Sequence, residues 1–200
     1  MMRSNLGKGF LAFLTIFAAQ IILPAFLAAE EPAKMVQAQA ILTVSESKRL
    51  IGKAVAQMPI VKNALANGMV IIVKGTTNAY VAEEITGEKI QKAAFVRGRV
   101  EPAKGGKPLP NVKALPDVVL ERGKVVDLPL NDAVKKLKPG DVVIKGANAL
   151  DYKNKIAGVN IGDPSGGTTG ITMPYVVARK AYLVIPVGLE KLVAGDVIDL

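Results

Sequence analysis

Apolar residues change their spacing several times along this chain, and each change marks an element. From Ser45 onward, Leu50, Ile51, Ala54, Val55 and Met58 recur at helical spacing, with Ser45 or Ser47 placed to cap the start. Pro59 is tolerated in a first helical turn, so a second helix is predicted from Pro59 to Ala66, stopping at Asn67-Gly68. Met69-Val-Ile-Ile-Val73 is then a short unbroken run rich in β-branched residues, which suits a strand buried on both faces. Gly75-Thr-Thr-Asn78 follows, and Ala79 to Ile85 reads as a helix. Ala94 to Val100 predicts a weaker strand, and the prolines and paired glycines of Glu101 to Pro116 predict a surface excursion.

The second half repeats this logic. Val118 to Asp127 alternates around Gly123 as a hairpin would, and Leu130 to Leu137 predicts a short helix with Asn131 or Asp132 near its start. Lys138-Pro-Gly140 ends that helix. Asp141-Val-Val-Ile144 and Ala181-Tyr-Leu-Val-Ile-Pro186 are two further buried strands. Between them come Lys145 to Asp151, a glycine-rich loop from Gly158 to Gly170, and a helix over Ile171 to Lys180 interrupted by Pro174. Strands separated by helices predict an α/β fold, Rossmann-like, with a mainly parallel sheet flanked by helices and joined by right-handed crossovers, in a single domain over residues 45–200.

The first 44 residues have a different character. Met1 to Lys8 holds Arg3 and Lys8 and no acid, and Phe10 to Ala29 is apolar apart from Thr15, Gln20 and Pro24. Residues 1–29 therefore read as a signal peptide cleaved after Ala29, with an uncleaved N-terminal membrane anchor as the alternative. A start at Met35 is a third possibility. Residues 30–44 read as a linker, and the expected destination is outside the cytoplasm, periplasmic or secreted. Membrane contact is expected only through the N-terminal segment.

Composition narrows the chemistry. The chain of 200 residues has 26 Lys and Arg against 17 Asp and Glu, and loss of residues 1–29 would leave 24 bases and a charge of +7. With no His and no Cys, it cannot build a Ser-His-Asp or Cys-His nucleophile, a thiol redox pair or an ordinary zinc site. Neither a metal nor a cofactor is expected. Lysines are scattered and only 4% of residues are aromatic, which leaves few stacking platforms for nucleic acid.

Ligands of open α/β sheets bind beyond the carboxyl ends of the strands, where helix N-termini present unpaired amides. Three segments fall there. In Gly75, Thr76, Thr77 and Asn78, the glycine admits close backbone approach and the threonines offer hydroxyls; helix capping by Thr77 or Asn78 is the competing account. Lys145, Gly146 and Asn148 follow the second strand and suit an anionic or hydroxylated ligand, although a solvated lysine and a turn asparagine would look the same. Asp163-Pro-Ser-Gly166 is a favourable type I turn, and Gly166, Gly167, Thr168 and Thr169 then supply amides and hydroxyls suited to phosphate or carboxylate. Together they predict a site for a small anionic molecule.

The order helix, Asn67-Gly-Met-Val-Ile-Ile-Val73, Gly75-Thr-Thr-Asn78, helix resembles the opening of ribose-5-phosphate isomerases. Lys145-Gly-Ala-Asn-Ala-Leu-Asp151 is similar to the strand-end motif of those enzymes, and more so to the Gly-Ala-Asn-Gly-Val-Asp of DeoR-type sugar-phosphate sensors. The resemblance spans roughly Ser45 to Val193 and implies the fold that these families share with coenzyme A transferases. It implies no isomerase activity. Lys145 and Asn148 stand where the isomerase motif has acids, the loop lysine is missing, and no Glu lies between Gly166 and Lys180 to act as base. Three accounts of function stay open: an exported domain binding a small anion, a divergent isomerase-like or transferase-like enzyme using Lys145 with Asp163 or Asp151, and a structural envelope protein that homo-oligomerises through a sheet edge left unfinished near Leu200.

Overall fold

The structure, a computed structural model, describes residues 37–97 and 112–199. The leader, residues 30–36 of the linker, residues 98–100 and most of the 101–116 excursion lie outside the described residues. Residues 40–200 make up one compact unit.

Two helices open it, α1 (Val44–Gln57) and α2 (Pro59–Asn67). The cap of α1 is Thr43 rather than Ser45 or Ser47: Thr43 Oγ1 accepts from the Glu46 amide at 3.3 Å while the Glu46 carboxylate accepts from the Thr43 amide at 2.8 Å, a reciprocal capping box. Strand β1 (Met69–Ile72) leads to α3 (Asn78–Thr86). The hairpin is β2 (Val118–Glu121) and β3 (Lys124–Val126), turning through Arg122 and Gly123, both at positive φ. A short helix α4 (Leu130–Ala133) tightens into a 3₁₀ turn before β4 (Val142–Ile144). A small hairpin, β5 (Ala149–Asp151) and β6 (Ile156–Gly158), then α5 (Gly167–Arg179) and β7 (Tyr182–Val184), complete the order.

The five-stranded sheet runs β3-β2-β1-β4-β7. β1, β4 and β7 are mutually parallel, but β2 lies antiparallel on the other side of β1 and β3 antiparallel to β2. The sheet is therefore mixed, and the expectation of a mainly parallel one is corrected. A hairpin returns its second strand immediately, without the crossover that parallel pairing needs, so it can only extend the edge in antiparallel fashion. The predicted strand at Ala94 is also corrected. Ala94 and Phe95 are buried, but within a turn whose amides bond back to Gln91 and Lys92.

Alternation along the strands assigns two faces. Val70, Ile72, Val142 and Ile144 pack with Val55, Val61, Ala64, Val81 and Phe95 beneath α1, α2 and α3. Met69, Ile71, Val73 and Val143 pack with Leu130, Val134, Leu137 and Val176 from α4, the 3₁₀ turn and α5. A sheet covered on both faces has no polar side, which explains why β1 and β4 read as unbroken apolar runs.

Candidate functional site

Covered on both faces, the sheet offers a ligand only the carboxyl ends of its strands. The chain leaves β1 through residues 73–77 and β4 through 145–148, and residues 159–166 carry it from β6 to α5. The three segments line one cleft of about 1040 Å³, which includes every residue expected to bind the ligand except Asn78.

The helix α3 begins on this cleft. Thr77 holds its cap position in helical backbone geometry, only 7% exposed, and its side chain makes no capping bond, so capping does not account for this threonine. Thr76 Oγ1 accepts from Lys48 Nζ at 3.2 Å, and Lys48 lies 3.4 Å from Glu190. Asn78 has a different task. Fully buried, its Nδ2 donates to the carbonyls of Val73 at 2.7 Å and Ile144 at 3.1 Å, clamping the ends of β1 and β4 together, while its Oδ1 is buried without a hydrogen-bond partner. It stands behind the cleft wall rather than in it.

At the end of β4, Lys145 is 9% exposed and lines the cleft. Burial first, and the charge of Arg97 second, push its ammonium below the ordinary lysine range, and no carboxylate among the described residues counters them. Asn148 is exposed. Its Oδ1 accepts from the Asn160 amide at 3.0 Å and its own amide donates to Gly158 at 2.8 Å, so it ties the second loop to the third.

The third loop has the predicted turn, with the Gly166 amide donating to the Asp163 carbonyl at 2.9 Å. The Asp163 carboxylate accepts from the Ser165 hydroxyl and amide and from the Gly167 amide at the start of α5, and these bonds hold it below the usual carboxylate range. α5 begins at Gly167, four residues earlier than predicted, and runs through Pro174. Residue 170 is glycine because the Ser165 carbonyl occupies the space a Cβ would need. Thr168 and Thr169 are thus in the first turn of α5. Helices of nine and thirteen residues therefore begin on the same cleft; at α3 the Ala79 amide donates to the Gly75 carbonyl, and at α5 the Gly167 amide donates to the Asp163 carboxylate.

The cleft is basic. Lys74, Lys92, Arg97, Lys145 and Lys191 line it, and Asp163 is the one carboxylate among the described lining residues. Lys92 is paired with Glu83 and Arg97 with Asp117. Lys74, beside Gly75, had a local signal that the sequence reading passed over. Arg97 fell in the segment read as a strand, and Lys191 comes from a distant turn with no signal at all. The rival acid Asp151 does not line the cleft: buried, it accepts from the Asn154 amide at 2.9 Å and side chain at 2.8 Å, bracing the β5–β6 turn. No groups of His, Cys, Asp and Glu arranged to hold a metal occur among the described residues. No family model, curated protein or solved structure matches the chain.

Proposed function

We propose that this protein is an exported, Rossmann-like binding domain for a small anionic metabolite bearing a phosphate or carboxylate. The observation that carries the reading is Lys145, a buried residue whose ammonium has no carboxylate partner among the described residues, in a cleft onto which the starts of α3 and α5 open. Helix starts favour negative charge through their free amides and dipoles, and a buried cation favours it through Coulombic attraction in a poorly solvated site. The anion would satisfy both. The resemblance to sugar-phosphate sensors agrees with this reading, since sensors need the binding loops and not the catalytic base.

Thermal unfolding in inorganic phosphate and in chloride at equal ionic strength tests the proposal. Phosphate at a hundred times its dissociation constant should add about 2.7 kcal/mol to stability. Lys145→Met should lose most of that increment without losing stability in chloride, because it removes an ion whose burial is unfavourable. Equal behaviour in phosphate and chloride, or an undiminished phosphate response in the variant, would refute it. Sugar phosphates, carboxylates and thioesters in the same assay then rank the ligand class.

A further inference from the structure

We propose that Lys145 is a nucleophilic amine that forms an imine with a small carbonyl compound whose anionic group is held at the starts of α3 and α5. This rests on the anion-binding reading and names the substrate class of the same cleft.

The geometry singles out one lysine. Its stem is buried at the end of β4, a central strand, and its own amide donates to the Val184 carbonyl at 2.9 Å, so the residue is fixed by the sheet rather than by a loop. The cleft beside it is large enough for a metabolite of several carbons, and Gly146 next to it leaves the floor open. Of the other lysines that line the cleft, Lys74 and Lys191 are only half-buried. Lys92 is tied to Glu83 at 2.6 Å, and Lys48 is shared between Thr76 and Glu190. A lysine attacks a carbonyl only as the free amine, and desolvation next to another cation is the established route to more of that form. Burial and Arg97 act on Lys145 in that sense.

The step balances without a further reactant. The Lys145 nitrogen bonds to the carbonyl carbon, whose oxygen takes up a proton; the carbinolamine then loses that oxygen as water, leaving a C=N bond. The cationic imine keeps the positive charge in the cleft. The anionic group belongs at Thr76–Thr77 or Gly166–Thr169, near enough for the Lys145 charge to attract it but out of contact with the nitrogen that attacks.

Glyoxylate with cyanoborohydride is the probe, applied to the full chain. Hydride reduces any imine to a stable secondary amine, and peptide mass mapping locates the carboxymethyl group. Modification at Lys145 about tenfold faster than at every other lysine is expected, and inorganic phosphate should slow it by occupying the anion site. Lys145→Arg should lose the adduct, because a guanidinium does not add to the carbonyl under these conditions. If that variant fails to fold, lysine-by-lysine rates in the natural chain decide alone. Labelling spread evenly over surface lysines, with phosphate still stabilising the protein, would overturn the imine and leave the binding site standing. Absence of both would remove the two readings together.

Discussion

Adjacent residues at the start of α3 divide the work of binding and holding. Asn78 is spent on the framework: its side chain joins the carbonyls at the ends of β1 and β4, and removing it would take the donor from the Val73 carbonyl while the Ile144 carbonyl keeps the Val73 amide. Thr77 makes no such bond and faces the cleft. Asn78→Ala should cost about 2–3 kcal/mol, the price of an unsatisfied buried group plus a small cavity. Thr77→Ala should cost a few tenths of a kcal/mol, well below the ~1 kcal/mol of a lost helix cap. Urea denaturation of both variants with parallel phosphate titration makes the comparison. Should Thr77→Ala lose as much stability as Asn78→Ala while phosphate affinity stays unchanged, Thr77 is a structural residue and the binding role assigned to the loop fails. A comparable framework device closes the other end of these strands. Asp141 accepts from the amides of Met69 at 2.8 Å and Lys138 at 2.7 Å, and Gly68 is glycine because its Cβ would collide with that carboxylate.

Elements are joined by charge as well as by apolar packing. Arg49 of α1 pairs with Glu83 and, at 2.8 Å, with Glu84 of α3; Glu83 also accepts from Lys92 and from the Ile90 amide at 2.9 Å. The Tyr80 ring lies between the two cations, 4.8 Å from Arg49 and 4.7 Å from Lys92. Burial pushes the Glu83 carboxyl up, but these donors outweigh it and hold it down at about 2. A carboxylate depressed in the folded state adds stability that is complete above its unfolded value, near 4.5, and is lost as pH falls toward 2. The loss should be of the order of 2 kcal/mol once solvent around the partners is allowed for. Glu83→Gln should therefore be less stable than the natural chain at neutral pH and nearly equal to it at pH of about 2; parallel urea curves would count against the network if the gap stayed constant. Such ties are invisible in sequence, because Glu83, Arg49 and Lys92 have no local pattern in common. The elements themselves were more legible. β1, β4 and β7 announced themselves as apolar runs, and Gly123 marked its hairpin because the turn needs positive φ. The three-residue strands β5 and β6 are too short to alternate, Phe95 shows that a buried turn can pass for a strand, and the glycines at the start of α5 passed for loop because glycine has a low helix propensity. At the site, the three loops could be expected from their places after strands, whereas the isolation of Lys145 depends on everything around it.

The short sequence motifs between Ser45 and Val193 resemble, in their order, those of ribose-5-phosphate isomerases, yet the cleft of the whole molecule lacks the parts that their reaction requires. Moving an aldose to a ketose through an enediol needs a base that takes a proton from one carbon and returns it to the next, with groups to stabilise the developing oxyanion. The cleft is rich in the second and poor in the first. Lys74, Lys145 and the starts of α3 and α5 could steady an oxyanion, but among the described lining residues only Asp163 has a carboxylate. That carboxylate is committed to the hydroxyl and amide of Ser165, and the bonds that hold it ionised also weaken it as a base. Asp151 braces another turn, and Asn148, where the resembling enzymes have an acid, joins two loops through Asn160. Loss of a general base alone typically removes 10²–10⁴-fold of rate, and here no replacement stands in the cleft. Ribose 5-phosphate should therefore bind, raising thermal stability as inorganic phosphate does, without being converted to ribulose 5-phosphate at a rate above that of the Asp163→Asn variant. Following both sugars by chromatography over hours, with the variant as control, separates binding from turnover. Conversion by the natural chain that Asp163→Asn abolishes would show that the aspartate has taken over the missing base, and that the cleft is an active site of the kind its chain order suggests.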